Sequence, residues 1–182
     1  MNEHLEPVFN LLLPALDKAG IDYWVYGGVS VAAYVGKFIR SNKDIDIFVR
    51  EADFERAKLI LNNSCIQNNF QLSEPPPLSN GRRKVEIRID SERLSMVPAY
   101  IKDHIVELKF KRGSKEYSTQ ILERVERNIS GYKFFSPTDV YIKELFVNYL
   151  TTSGKKDKDK IKNYDAKNIL TSEEYSKFYP NN

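Results

Sequence analysis

Apolar and polar positions recur with two different periods along this chain, and each change of period marks an element. Over residues 3–19, Leu5, Val8, Phe9, Leu12, Leu13 and Leu16 fall at three- and four-residue steps, which predicts an amphipathic helix. Pro14 requires that helix to kink or restart, and Gly20 is a stop signal. Residues 21–26 are aromatic and β-branched and predict a buried strand. Gly27-Gly28 ends it, residues 29–35 predict a short buried helix, and residues 44–49 predict a second strand. A second amphipathic helix follows over residues 51–62, with Phe54, Ala57, Leu59, Ile60 and Leu61 on one side and Asn62-Asn63 as its end. Residues 69–72 predict a short strand. Pro75-Pro76-Pro77 and Ser79-Asn80-Gly81 then form a loop, the segment best suited to be mobile or to face a substrate.

The period then shifts to two. Val85, Ile87 and Ile89 point one way and Glu86 and Arg88 the other, so residues 84–89 predict a strand. Residues 93–100 form a hairpin with it across Asp90-Ser91-Glu92. Two registers are open, pairing Ser95 with Glu86 or with Arg88; in both, Glu86, Arg88 and Ser95 share a face. Residues 105–110 alternate again, and strand-like pieces at 125–129 and 132–135 flank Ser130-Gly131. Ser136 is placed to cap a helix with Pro137 at its first position, and Tyr141, Leu145, Phe146 and Tyr149 give that helix an apolar face. Residues 165–170 and 172–178 predict short helices. The fold class is α/β (α+β): a mixed sheet flanked by helices over residues 1–135, then a small helical part over 136–182.

Composition narrows the picture. The chain has 182 residues, 41% hydrophobic and 29% charged, which suits a globular domain with a core of its own. No apolar run reaches the ~20 residues that cross a bilayer, so no membrane role is expected. Glu3 and Glu6 stand where an export signal carries basic residues. Cys65 is the only cysteine, compatible with a cytoplasmic setting, and reads as a small buried apolar residue. The net charge of +3 equals that of residues 151–162 alone, where five lysines (Lys155, Lys156, Lys158, Lys160, Lys162) face Asp157 and Asp159. A solvated basic turn accounts for this segment, with an RNA contact through 155–162 as the alternative. His4 and His104 show no metal-ligand spacing.

The chemistry concentrates in residues 26–49. Asp44 and Asp46, two apart on a strand, project to the same face while Ile45 and Ile47 enter the core. Adjacent carboxylates repel unless a cation lies between them, and an oxygen-only pair suits Mg²⁺. Gly27-Gly28 lets backbone N–H groups approach a phosphate at the start of the short helix. Arg40 and Lys43 precede the carboxylates and suit phosphate charge. Each part is common; the combination is far more specific.

Gly27-Gly28-Val29-Ser30, Arg40-Ser41 and Lys43-Asp44-Ile45-Asp46-Ile47-Phe48 together resemble the motif of the nucleotidyltransferase superfamily, the polymerase-β-like fold. The likeness is to its small minimal, lincosamide-type and abortive-infection-type members. The resemblance implies that a nucleoside triphosphate is held by Gly27, Gly28, Ser30, Arg40 and Lys43, with Lys143 reaching the cleft from the helix after Ser136. It implies Mg²⁺ on Asp44 and Asp46 and transfer of an NMP to an acceptor hydroxyl on a small molecule, a tRNA or a protein. It also implies a third carboxylate from a neighbouring strand. In Leu94-Ser95-Met96 a serine stands at that place, so Glu86 is the candidate, with Glu107 behind it; Glu86 also reads as a solvent-facing partner of Arg88 and Lys84. The alternatives are a catalytically degenerate module that binds nucleotide or a protein, and a toxin–antitoxin component acting on tRNA.

Overall fold

A computed structural model describes residues 5–38, 41–90, 92–111, 113–151 and 171–173. Arg40, His4, the lysine segment 155–162 and the helix expected over 165–170 lie outside the described residues, as do most of 172–178 and the side chains of Phe146 and Tyr149.

The first helix restarts at its proline. Residues Val8–Leu12 form a widened π-helical turn, and α1 (Leu13–Lys18) follows with Pro14 in its first turn. The Leu13 N–H bonds back to the Val8 carbonyl, five residues earlier, and the wider turn makes room for the ring and its missing donor. Strand β1 (Tyr23–Tyr26) leads through Gly27 into α2 (Gly28–Val35), and β2 (Asp44–Arg50) follows. Helix α3 (Phe54–Asn68) continues past Asn62-Asn63 because Leu61 and Cys65 are buried on one side of it. It ends at Asn69 in the left-handed conformation, whose N–H caps the Cys65 carbonyl.

Strands β3 (Gln71–Ser73), β4 (Val85–Ile89), β5 (Glu92–Lys102), β6 (Ile105–Phe110) and β7 (Gly113–Ser118) complete a seven-stranded mixed sheet. Its main order is β1-β2-β5-β4-β3, and β2 and β5 run parallel while the other pairs are antiparallel. Long strand β5 serves two partners on one side: β4 up to Met96 and β6 from Ala99. Pro98 falls at that changeover, a position that tolerates the lost donor. The hairpin register pairs Glu86 with Ser95. β8 (Val125–Ile129) and β9 (Tyr132–Ser136) form a separate hairpin, turned by Ser130 and Gly131 at positive φ.

Helix α4 (Asp139–Thr151) starts later than Ser136. Ser136 is instead the last residue of β9; its hydroxyl accepts from Arg127 Nε at 2.7 Å and donates to the Pro137 carbonyl. The loop over residues 75–81 is irregular and mostly exposed, yet it is tethered: Asn80 Nδ2 donates to the Phe110 carbonyl at 2.9 Å, and Arg82 Nε to that of Lys109.

The two sheet faces carry separate cores. On one, Val25, Ile45, Ile47, Leu94, Met96 and Ile87 pack under α1, α3 and the β8–β9 hairpin, where Phe9 stacks on Tyr132. On the other, Trp24, Phe48, Val97 and Leu108 pack against Ile121, Leu122 and Tyr141 of α4. Tyr141 is thus a core residue. The Trp24 indole donates to the Leu122 carbonyl at 2.8 Å. On this second face the apolar cover ends at Tyr26 and Phe48, whose rings stack 3.8 Å apart. The next residue on the same face of β2 is Asp46.

Candidate active site

Register brings the charged residues together. Tyr26 pairs with Asp46 across β1–β2, so the glycine turn that leaves β1 passes beside that carboxylate. Gly27 has φ 79° and ψ −149°, a backbone state that side chains disfavour, and a Cβ there would lie 3.4 Å from Asp46 Oδ2. Glycine therefore meets two needs: the sharp exit from the strand and the close approach to Asp46. Gly28 opens α2, placing that helix's free N–H groups at the same corner. Ser30 is fully buried; its hydroxyl donates to the Gly27 carbonyl at 3.0 Å and so braces the turn.

Asp44 and Asp46 share one face at the start of β2, each partly open to solvent. Burial within the protein, and next the charge of Asp44, push the Asp46 carboxyl up to about 6; Lys84, Arg93 and Arg82 pull it back. Although Asp46 keeps some open surface, it is enclosed enough by protein to pay for its charge.

Across β5 and β4 the face continues through Ser95 to Glu86, because Asp46, Ser95 and Glu86 are successive Cα partners. Two strand spacings separate Asp46 from Glu86, roughly 10 Å between Cα atoms. Two cations fill the space around them. Arg93, the Cα partner of Asp44, places Nη2 2.9 Å from Asp44 Oδ2 and Nη1 3.3 Å from Glu86 Oε1. Lys84 Nζ pairs with the same Glu86 oxygen. Lys84, and then Arg93, hold the Glu86 carboxyl below the usual carboxylate range. Between the two acids, Ser95 Oγ is completely buried and makes no hydrogen bond to any described group.

Gly27, Gly28, Ser30, Asp44 and Asp46 therefore form one corner, and Glu86 stands on the same face behind a screen of cations. Glu86 does not gather with the aspartates: among the described residues no three His, Cys, Asp or Glu side chains converge as a metal cluster. Its partners are Lys84 and Arg93, whereas Arg88 pairs in register with Arg93. Glu107 lies on β6 opposite Tyr100, beyond the half of β5 that borders Asp46. Lys43 is exposed just before β2, and Lys143 is half-buried on α4. Cys65 is buried, which pushes its thiol up to about 11. Arg93 was the residue hardest to foresee. Its contact with Asp44 spans 49 positions and depends on the parallel β2–β5 pairing, for which local sequence carries no signal.

The model of the aminoglycoside-2''-adenylyltransferase family matches residues 8–121, which include the glycine turn, both aspartates and strands β1 to β7. The chain belongs to this family. As a family member it is a nucleotidyltransferase, an enzyme that moves an NMP from an NTP to an acceptor hydroxyl. Solved structures agree on the fold. The crystal structure of ANT(2'')-Ia in complex with adenylyl-2''-tobramycin is 18% identical at TM-score 0.59, covering 95% of this chain and 94% of that one. The lincosamide antibiotic adenylyltransferase LnuA, lincomycin-bound, is 16% identical at TM-score 0.59, covering 93% and 98%. A Thermotoga maritima protein is 14% identical at TM-score 0.57, covering 81% and 86%. No curated protein matches the chain in sequence. No helix among the described residues is long and apolar enough to cross a membrane.

Proposed function

We propose that this nucleotidyltransferase transfers an adenylyl group from ATP to a hydroxyl of a small polar molecule, in the cytoplasm, with chemistry centred on Asp44 and Asp46. The observation that carries the site is the Asp44–Asp46 pair against the Gly27 turn, with Asp46 Oδ2 3.4 Å from where a Gly27 Cβ would stand. The pair fits a divalent cation. Its carboxylates share a face and remain accessible, and burial and the neighbouring Asp44 charge make the Asp46 charge costly, a cost that a cation relieves. Asp44 and Asp46 would hold Mg²⁺, which supplies neutralisation of phosphate charge when bound.

The protein's own groups do the rest. Gly27, Gly28 and the first N–H groups of α2 receive phosphate oxygens, and Ser30 keeps that turn in shape. Lys43 adds positive charge at the rim, and Arg40 and Lys143 are assigned the same role from the motif. Glu86 is the carboxylate on the same face available to accept the acceptor's proton; Lys84 and Arg93 keep it ionised but weaken it as a base. To serve as a metal ligand, as the sequence motif suggested, Glu86 would have to exchange those two cations for the metal. The C-terminal segment 136–182 is proposed to complete the acceptor side.

The test is incubation with ATP, GTP, CTP or UTP labelled at the α-phosphorus, with Mg²⁺ and a panel of hydroxylated acceptors that includes aminoglycosides, lincosamides and tRNA. Transfer of label to an acceptor with release of pyrophosphate supports the proposal. Tight Mg²⁺–NTP binding without transfer to any acceptor favours the degenerate binding module, an outcome to which Ser95 between Asp46 and Glu86 points.

A further inference from the structure

Resting on the reading of Asp44 and Asp46 as a metal site, we propose that Arg93 is a positioning residue that admits metal and nucleotide together and disfavours metal alone. Its guanidinium holds Asp44 Oδ2 at 2.9 Å and Glu86 Oε1 at 3.3 Å, bridging two acids from strands on either side of β5. A lone cation entering at Asp44 meets a carboxylate with one oxygen already held by a guanidinium, and must bind beside that charge or displace it. Displaced, Arg93 keeps Glu86, whose same oxygen Lys84 already holds, and Asp46, the other carboxylate a cation would occupy. Two positive centres then crowd one small site, and the cation binds weakly.

A metal–nucleotide pair changes the balance. The triphosphate brings several negative charges, and a guanidinium is well shaped to take two phosphate oxygens at once. The side chain is free to make that exchange, being 40% exposed. Its Nε, by contrast, is buried with no hydrogen-bond partner among the described residues, a donor that a bound oxygen would satisfy once the side chain swings toward it. Arg93 thus passes from Asp44 to phosphate as Asp44 passes from Arg93 to metal. The consequence is positive coupling: each ligand raises the affinity for the other by the same factor.

The experiment measures Mn²⁺ affinity by electron paramagnetic resonance on the full chain, with and without a non-hydrolysable ATP analogue. It compares the unmodified protein, Arg93→Met and Arg93→Lys. Losing an exposed ion pair and one neighbouring positive charge should tighten binding of Mn²⁺ alone about 3- to 10-fold in Arg93→Met. Losing charge-assisted hydrogen bonds should weaken the analogue, at saturating Mn²⁺, by about 10-fold or more. These opposite signs separate positioning from scaffolding, since a residue needed only for structure weakens both ligands. Arg93→Lys keeps the charge but loses the fork, so its coupling factor should fall below that of the unmodified protein; this variant carries the test if Arg93→Met does not fold. Unchanged coupling in the folded variants, or a parallel loss of both affinities, overturns the role of Arg93. Absence of Mn²⁺-dependent analogue binding in the unmodified protein, or its persistence in Asp44→Asn, overturns the metal site itself.

Discussion

Asp46→Asn should stabilise the free protein while removing its activity. The charge on Asp46 is costly because the surrounding protein and the Asp44 carboxylate push its carboxyl from 3.8 up to about 6. At ~1.4 kcal/mol per pKa unit that difference caps the penalty at about 3 kcal/mol, and solvent reaching the half-open side chain reduces it to on the order of 1–2 kcal/mol. The sign follows from proton binding. Between about pH 4 and 6 the folded state holds a proton that the unfolded state has released, so Asp46 costs least below pH 4 and its full cost is present above pH 6. Asparagine keeps the shape without the charge. At pH 8 the midpoint of thermal unfolding should therefore rise by about 2–8 °C, given ~2–4 °C per kcal/mol for a chain of this length. The gain should shrink to a small fraction of this by pH 4 and vanish near pH 3, where Asp46 is protonated in both states. Adding Mg²⁺ should narrow the gap at pH 8 by stabilising only the parent protein. A loss of stability at pH 8, or a gain of equal size at pH 8 and pH 3, refutes the electrostatic account of this corner.

Three further substitutions probe the same structure. Ser95→Ala removes a buried hydroxyl that bonds no described group; urea unfolding should show no loss of stability and a gain of up to about 1 kcal/mol. Gly27→Ala puts a side chain at φ 79° and 3.4 Å from Asp46 Oδ2, so it should cost about 1–3 kcal/mol and weaken Mg²⁺–ATP binding in calorimetry. Trp24→Phe strands the buried Leu122 carbonyl that the indole now satisfies at 2.8 Å and leaves a void between β1 and the segment before β8. It should cost about 2–4 kcal/mol by chemical denaturation with activity per folded molecule retained.

The corner around Asp46 was legible because local rules define it. Alternation put both aspartates on one face of β2, a glycine pair after a strand implied a turn into a helix, and hairpin geometry put Glu86, Arg88 and Ser95 on one face, with the choice between two registers left to the structure, which pairs Glu86 with Ser95. What escaped the sequence depends on distant pairing or weak pattern. Arg93 meets Asp44 only because β2 and β5 run parallel. Strand β7 was not foreseen: Gly113–Ser118 is polar and largely exposed, and is a strand because β6 offers it an edge to pair with. Asn62-Asn63 looks like a helix end, but the burial of Leu61 and Cys65 carries α3 through it. Ser136 has the right chemistry for a cap and is instead held in β9 by its pairing with Val125 and by Arg127.

In the proposed mechanism Asp44 and Asp46 together hold the metal through which ATP is bound for transfer. Isothermal titration of ATP into the full chain, with and without Mg²⁺, and into Asp44→Asn and Asp46→Asn, addresses it directly. Binding in the parent protein should depend on Mg²⁺ and fall by about 10-fold or more in each variant, with each variant folded. Equal binding in all three proteins, or binding indifferent to Mg²⁺, contradicts it.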